Sequence, residues 1–203
     1  PYPTTPTSLN NGALTGNIGA AWRPGTAWKV AIDLSTGFRS PNIDDVGKVF
    51  SNEPGTVIVP NPELGPEYAY NAEMSVEKIL RKQVRLGGTL FFTLVDDIMV
   101  RRPYTIHGED SIFYEGGMSR VDAIQNAAQA RVWGGTFFME AALQPWFSLE
   151  TRYTGVWGSE DAEDGIGNVP LRHPPPGFGS IGIRVAHGPV DLRGVYSFAV
   201  GFN

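Results

Sequence analysis

Two short stretches of the sequence carry side chains of the types that bind metal ions. His107, Glu109 and Asp110 fall within four residues, but three neighbouring groups on a flexible loop do not make the preorganised ligand set of a closed metal site. Residues 160–164 hold four carboxylates without the alternating Asp/Asn spacing of an EF-hand loop. We therefore predict no metal site and no cofactor, with a loose divalent-ion contact at 160–164 as the open alternative.

Residues for covalent or phosphate chemistry are poorly placed. The chain has three histidines, His107, His173 and His187, and none accompanies a G-x-S-x-G nucleophile elbow. No GxxxxGK[ST] motif occurs, and no G-x-G-x-x-G precedes a helix. We predict no catalytic residues and no enzymatic activity.

Aromatic residues in one long connecting segment are better candidates for binding. Tyr104, Phe113 and Tyr114 lie close to His107 in the chain. Exposed aromatic side chains stack on sugar or siderophore rings, so these four residues are our candidate binding set. Packing within the loop is the competing interpretation.

The composition excludes several classes of protein. The 203 residues carry 16 Lys and Arg against 21 Asp and Glu, which gives a net charge of −5, and there is no Cys. A mildly acidic chain without basic runs cannot neutralise many phosphates, so we predict no nucleic-acid partner. The absence of Cys excludes disulfide scaffolds, thiolate zinc sites and Cys nucleophiles. High Gly and aromatic content favours β structure.

The elements that must position these residues show a period of two. Trp28, Val30, Ile32, Leu34 and Phe38 share one face of a predicted strand, opposite charged and small polar residues. The same alternation predicts about eight strands, several of them longer than the usual ~5–6 residues. Their predicted ranges are 15–23, 26–39, 68–80, 84–101, 127–143, 146–157, 178–187 and 190–202.

The connections alternate between short turns and long loops. Short turns are predicted at 24–25, 81–83, 144–145 and 188–189, and long loops at about 40–67, 102–126 and 158–177. This asymmetry is typical of outer-membrane barrels, whose strands of ten or more residues cross the bilayer at a tilt. Aromatic residues near strand ends, such as Trp28, Trp146, Phe147, Trp157 and Phe202, suit membrane interfaces. The prediction is an all-β, antiparallel transmembrane barrel.

Two segments in order resemble a known family. The first reads Gly37-Phe38-Arg39-Ser40-Pro41-Asn42, and the second runs from Asn61-Pro62-Glu63-Leu64 through Pro66-Glu67 to Glu73. They resemble the "GFRAPN..EL" and "NP.L.PE...YE.G" stretches of TonB-dependent outer-membrane receptors. Asp97-Ile98, Asn126 with Ala130 and Gly134, and Pro170–Gly179 also resemble parts of that pattern, so the likeness runs from about residue 15 to 203. Residue 65 departs from it, since it is Gly where the family usually has Lys.

The resemblance implies that residues 1–203 are part of a barrel of roughly 22 strands, without the plug domain and the other strands. It implies an outer-membrane location in a Gram-negative bacterium and active uptake of an iron chelate, cobalamin or an oligosaccharide. The implied partners are outer-membrane lipid, the receptor's own plug, an inner-membrane energy-coupling complex and the cargo. The segment Pro41–Val46 is expected to open a short helix and to pack above the barrel rim, with cargo contact as the alternative.

Two other architectures stay open from the sequence. Eight strands can close into a small barrel that acts as an adhesin or structural protein. A soluble β-sandwich, such as a carbohydrate-binding module, would instead bury the apolar faces of two sheets against each other.

Overall fold

The computed structural model describes residues 12–47, 49–51, 53–81, 83–162, 167–171 and 175–201. In these ranges the chain forms one short helix, α1 (Ile43–Gly47), and eleven β-strands. The strands are β1 (Asn17–Trp22), β2 (Trp28–Arg39), β3 (Thr56–Val59), β4 (Glu67–Leu80), β5 (Val84–Pro103), β6 (Ser111–Tyr114), β7 (Gly117–Gln144), β8 (Phe147–Asp161), β9 (Asn168–Pro170), β10 (Gly177–His187) and β11 (Val190–Val200).

Eight strands form one continuous sheet in the order β1-β2-β4-β5-β7-β8-β10-β11. Each pairs antiparallel with the next, and no pairing between β1 and β11 occurs in the described part of the chain. Because all described strands belong to one sheet, no second sheet in that part of the chain covers its apolar face, which corrects the sandwich alternative. The self-contained eight-stranded barrel is not observed either, because the sheet is open.

The sheet has an apolar face and a polar face that run across its eight long strands. In register, Leu34 lies beside Ile18 and Ala72, and Ala72 lies beside Phe92. These apolar side chains are outside: Leu34 is 50% exposed and Phe92 44%. The polar face of the same strands carries Asn17, Ser35, Asn71 and Thr93, again in register. The predicted period of two is confirmed, with apolar residues outward instead of in a core.

The apolar face has the height of a bilayer. A strand of 12 residues, such as β2, rises about 40 Å, or about 28 Å at a 45° tilt. Trp28 and Phe38 lie near its two ends on the apolar face, and Lys78 lies 4.3 Å from the centre of the Trp28 ring. Aromatic rings at both ends of an apolar band are typical of membrane interfaces. Phe202, predicted to belong to such a girdle, lies outside the described residues.

Ion pairs cross the polar face near the short turns. Arg85 bonds Glu77 at 2.8 Å and Glu140 at 3.2 Å. Arg193 bonds Glu150 at 3.1 Å, and Glu150 lies directly opposite Glu140 in the β7–β8 register. Arg85 therefore pairs with both neighbouring strands, and Arg193 of β11 reaches across β10 to Glu150 of β8.

All eight predicted strands are present, but two predicted long loops contain regular structure. β5 ends at Pro103 and β7 begins at Gly117, so both extend into the predicted loop 102–126. β3 and β6 also form within predicted loops, at 40–67 and 102–126. β3 pairs with β7, which is more than 60 residues further along the chain. A local sequence pattern cannot predict a pairing between such distant segments. Likewise, β9 at 168–170 pairs with β8 in the predicted loop 158–177.

Among the described residues, the single helix is five residues long, and no helix combines the length and apolar character needed to cross a membrane.

Candidate functional site

The candidate site is a small folded body at the long-loop end of the sheet. β4 pairs with β5 only as far as Asp96, and β8 pairs with β7 only as far as Ala130. Beyond these positions β5 and β7 continue as a two-stranded ribbon up to the pair Pro103 and Asp122. We call the ribbon ends 98–103 and 117–126, together with β3 and β6, the loop assembly.

The loop assembly has a hydrophobic core of its own. Val57 and Val59 of β3 lie parallel to and in register with Val121 and Ala123 of β7, and all four are buried, with exposures of 0–3%. The hairpin of β6 and β7 and the preceding segment cover this cluster. The partly buried residues packed on it are Val49, Tyr104, Ile106, Ile112 and Tyr114.

Alternation along 119–123 explains why β7 continues this far. Ser119, Val121 and Ala123 share one side of the strand and are buried, while Arg120 and Asp122 occupy the other side. β6 pairs with residues 117–120 of β7, for example Ser111 with Arg120. It lies on the same edge of β7 as β5, which pairs with β7 from Asp122 onward. β3 therefore occupies the opposite edge of β7, the one that β8 occupies lower in the sheet.

A buried carboxylate joins the pieces of the loop assembly electrostatically. Asp122 is 2% exposed, and its Oδ1 atom lies 3.1 Å from Nε of Arg120. Its Oδ2 atom lies 3.5 Å from Nε of Arg101, and Arg101 in turn pairs with Glu53 at 3.5 Å. A buried charge requires such partners, because desolvation without them is costly.

Two asparagines fix the loop before β4 to the ribbon. The amide group of Asn126 accepts a hydrogen bond from Gly65 N at 2.7 Å and donates to Gly65 O at 3.0 Å and to Asp97 O at 2.7 Å. Asn61, which is buried, donates from Nδ2 to Ile124 O at 2.8 Å. Asp97 has a φ of +56° at a register shift between β5 and β7. Asn126 therefore joins a bulged strand to the loop that crosses it.

The Pro41–Val46 segment contains the start of the predicted short helix and packs beside the end of β2. Asn42 and Asp45 cap α1 reciprocally: Asp45 N donates to Oδ1 of Asn42, and Asn42 N donates to Oδ2 of Asp45, both at 2.9 Å. Arg39 bonds Asp45 at 3.2 Å and Glu67 at 3.1 Å, and Oε1 of Glu67 accepts from Met99 N at 2.8 Å. These contacts give the segment a structural role.

The four predicted binding residues divide into two pairs. Tyr104 and Tyr114 pack, half-buried, on the core of the loop assembly, and Tyr104 N donates to Val121 O at 2.9 Å. Phe113 is 67% exposed at the hairpin, opposite Met118, which is 65% exposed. His107 is exposed in a turn, with a φ of +53°. The structure thus brings the two tyrosines onto one core and leaves Phe113 and His107 at the surface.

Metal-ligating side chains do not converge where the structure describes them. In that part of the chain, no group of three or more His, Asp or Glu side chains is arranged to hold a metal ion. In the predicted acidic cluster, Asp161 accepts a hydrogen bond from Gln129 N at 2.9 Å, whereas Glu163 and Asp164 lie outside the described residues. His173 and part of the Pro170–Gly179 segment also lie outside them.

Sequence reasoning missed the polar residues that hold the loop assembly together. Asp122, Arg120 and Arg101 were not singled out, although the alternation of charged and apolar residues at 119–123 is a strand signal. Asn126 was noted only as part of a family pattern, without its bridging contacts. No local signal reveals that Asn61 reaches Ile124, because the two residues are 63 positions apart.

Solved structures with the same fold include two transporters and a hemophore receptor. The copper transporter OprC superposes with a TM-score of 0.64 at 14% identity, over 90% of this chain and 25% of that one. The FrpB iron transporter from Neisseria meningitidis gives 0.61 at 12%, over 90% and 26%. The Serratia marcescens hemophore receptor HasR, solved with its hemophore HasA and heme, gives 0.62 at 18%, over 91% and 32%. This chain therefore spans a quarter to a third of those proteins.

A family model gives the assignment that structural likeness at such low identity does not. No curated protein matches the chain. The model described as "TonB dependent receptor-like, beta-barrel" matches residues 2–189, which includes seven of the eight strands of the main sheet in full. The open antiparallel sheet, its outward apolar face and this match agree with the motifs at 37–42 and 61–73, and the chain belongs to the TonB-dependent receptor β-barrel family.

Proposed function

We propose that the chain is part of an outer-membrane receptor of a Gram-negative bacterium that actively takes up a scarce or bulky nutrient. The observation that carries this proposal is the continuous apolar face of the sheet. Leu34, Leu90 and Phe92 are 44–69% exposed on it, which is costly in water but favourable against lipid. The family assignment adds the transport role.

The polar face supports the other proposed partners. Its paired charges, such as Arg85 with Glu77 and Arg193 with Glu150, suit contact with water and with a plug domain of the same receptor. Energy for transport would come from the TonB system of the inner membrane, as in the family. The protein moves its cargo and catalyses no reaction.

The loop assembly and the structural neighbours support a choice among cargo classes. The neighbours include a copper transporter, an iron transporter and a hemophore receptor solved with heme, so an iron chelate or heme is our first candidate, with cobalamin and oligosaccharides next. The exposed Phe113 offers a ring face for stacking on such cargo, with His107 nearby in the same segment. Tyr104 and Tyr114 lie behind them on the core.

The test is uptake by cells that produce the complete receptor. A deletion strain is grown with radiolabelled ferric chelate, heme, copper, cobalamin or maltodextrin as the limiting nutrient. We expect loss of uptake for one cargo, recovery when the gene is restored, and full inhibition by a protonophore. Uptake that persists without proton-motive force, or recovery of the protein in the soluble fraction, would contradict the proposal.

A matched pair of variants tests the binding residues. Phe113→Ala removes an exposed ring and should raise the KM for uptake about five- to tenfold, because one aromatic contact contributes about 1 kcal/mol. Ile43→Ala removes another exposed apolar side chain, 77% exposed in α1, and should leave KM unchanged. Equal KM values for both variants would show that Phe113 does not contact the cargo.

A further inference from the structure

Residues 53–59, which we call the β3 strap, cross the loop assembly from a distant part of the sheet. The strap belongs to the connection between β2 and β4, yet β3 pairs with β7, two places beyond β4 in the sheet order. It therefore passes over the end of β5 to reach the far edge of β7. Arg120 N donates to Gly55 O at 2.8 Å, so the pairing begins at the turn before β3.

The strand part of the strap, β3, is buried, whereas residues 53–55 are exposed. Thr56, Val57, Ile58 and Val59 are all 8% exposed or less. Four residues of parallel pairing hold them, and parallel pairing is somewhat less stable per residue than antiparallel pairing. The outer edge of β3 carries a single described bridge, between Ile58 and Phe50.

An exposed ion pair joins the start of the strap to the ribbon. Glu53 pairs with Arg101 at 3.5 Å, and the Glu53 side chain is 63% exposed. Arg101 also faces the buried carboxylate of Asp122, and Arg120 retains Asp122 by two hydrogen bonds at 3.1 and 3.2 Å. When Glu53 leaves Arg101, Asp122 still has Arg120 as its partner. The strap can therefore detach without leaving a buried charge unpaired.

The surface beneath the strap has the chemistry of a ring-binding site. Val57 and Val59 complete a core on which Tyr104 and Tyr114 pack. If the strap leaves, it uncovers Val121 and Ala123, beside the two tyrosines that pack on the same core, and it frees one edge of β7. Such a surface suits a cargo with planar or sugar rings, and an extended chain can pair with the edge.

We propose that the β3 strap is a releasable cover, and that cargo reaches the buried surface of Val121 and Ala123, beside Tyr104 and Tyr114, only when the strap leaves the edge of β7. This inference rests on the proposed function for the identity of the ligand as cargo. The release itself does not depend on that function, and a thiol-labelling experiment measures it without any cargo.

The first test is maleimide labelling of Val121→Cys in the complete receptor in outer membranes, against a background without other accessible thiols; residues 1–203 contain none. Val121 is 0% exposed and Phe113 is 67% exposed, so Val121→Cys should react at least about tenfold more slowly than Phe113→Cys. Adding Glu53→Gln should speed the reaction at Val121→Cys about two- to fivefold, the shift that one exposed ion pair supports.

Adding Val57→Asp, which places a carboxylate in the core, should make Val121→Cys react about as fast as Phe113→Cys. Labelling of Val121→Cys that is as fast as Phe113→Cys without either change would show that no closed strap exists. Labelling that neither change accelerates would show that the strap does not cover this edge.

The second test locks the strap. Val57 and Val121 are register partners, so Val57→Cys with Val121→Cys should form a disulfide on oxidation. Ser180→Cys with Ser197→Cys gives a matched lock between β10 and β11. We expect the strap lock to reduce uptake at least about tenfold, with recovery on reduction, and the sheet lock to have no effect.

Full uptake by the oxidised strap lock would overturn the proposal. If unlocked receptor transports none of the tested cargoes, the proposed function fails instead, and the labelling rates still decide whether the strap opens.

Discussion

The sheet and the loop assembly place their apolar side chains in opposite ways. In the middle of the sheet, Leu34 and Leu90 are 50% and 69% exposed, and the described hydrophobic residues that are buried in the long strands outside the loop assembly are alanines, at 128, 130 and 141. In the loop assembly, Val57 and Val121 are 0% exposed, and the buried carboxylate of Asp122 lies beside them. One chain therefore combines a sheet whose apolar side faces outward with a body organised like a water-soluble core.

The difference in apolar burial indicates which environment each region is suited to. In the proposed outer-membrane location, lipid takes the place of a core for the sheet, so apolar residues need no protein partner there. The loop assembly lies beyond the bilayer-high part of the strands and must bury its valines against each other. A charge in place of an apolar residue should therefore destabilise each region, but for a different reason: loss of a buried core contact in the loop assembly and loss of an apolar environment on the outward face of the sheet.

The largest expected effect is a charge in the core of the loop assembly. Val59→Asp should cost about 3–5 kcal/mol locally, because an unpaired carboxylate replaces a residue that is 3% exposed. Trypsin should then cleave at Arg101 and Arg120 in intact cells, while the heat-modifiable gel mobility of the barrel stays unchanged. Phe113→Asp, at an exposed site, should change neither; a lost gel shift in Val59→Asp would mean that the two regions do not fold separately.

The second effect concerns the outward face of the sheet. Leu34→Arg should destabilise the inserted receptor by about 2–4 kcal/mol, since it places a charge on the lipid face near the middle of β2. Ser35→Arg, one residue away, lies on the polar face between Asn17 and Asn71 and should change stability by less than about 0.5 kcal/mol. Unfolding of the complete receptor by urea in lipid vesicles measures both values. Similar losses in both variants would refute our assignment of the two faces.

The two regions also differ in how far the sequence predicts them. The alternation of apolar and polar residues along β2 and β11 predicts the ends of those strands to within two residues. A strand with one apolar face repeats this alternation every two residues along its whole length. The loop assembly depends on contacts between distant segments, such as Val57 with Val121 and Asn61 with Ile124. Its strands β3 and β6 are only four residues long, too short for a period of two to be recognised.

The candidate site shows the same limit. Tyr104, Phe113 and Tyr114 were chosen because they are aromatic residues in a loop, and that criterion does not separate a core residue from an exposed one. Half-burial of Tyr104 and Tyr114 follows from β3, which no local pattern connects to them.

A smaller loss of local stability is expected when the hydrogen bonds of Asn126, which connect the loop before β4 to the β5–β7 ribbon, are removed. Asn126→Asp keeps an acceptor for Gly65 N but loses the two hydrogen bonds donated to Gly65 O and Asp97 O. We expect a local loss of about 1–3 kcal/mol, because two carbonyls lose their partner and a charge enters a partly buried site. Proteolytic cleavage within residues 60–66 should accelerate accordingly, with no change in the unfolding of the sheet. Unchanged cleavage would mean that Asn61 alone holds this loop.

The smallest effect is expected on the polar face, where the ion pairs are open to water. Arg193 and Glu150 have side-chain exposures of 65% and 54%, so solvent screens their attraction. Arg193→Gln should therefore change the free energy of unfolding by less than about 1 kcal/mol, with a difference that shrinks further in 0.5 M salt. A loss of several kcal/mol would mean that a plug or another partner buries this pair in the complete receptor, and the polar face would then resemble the loop assembly more than a water-filled lumen.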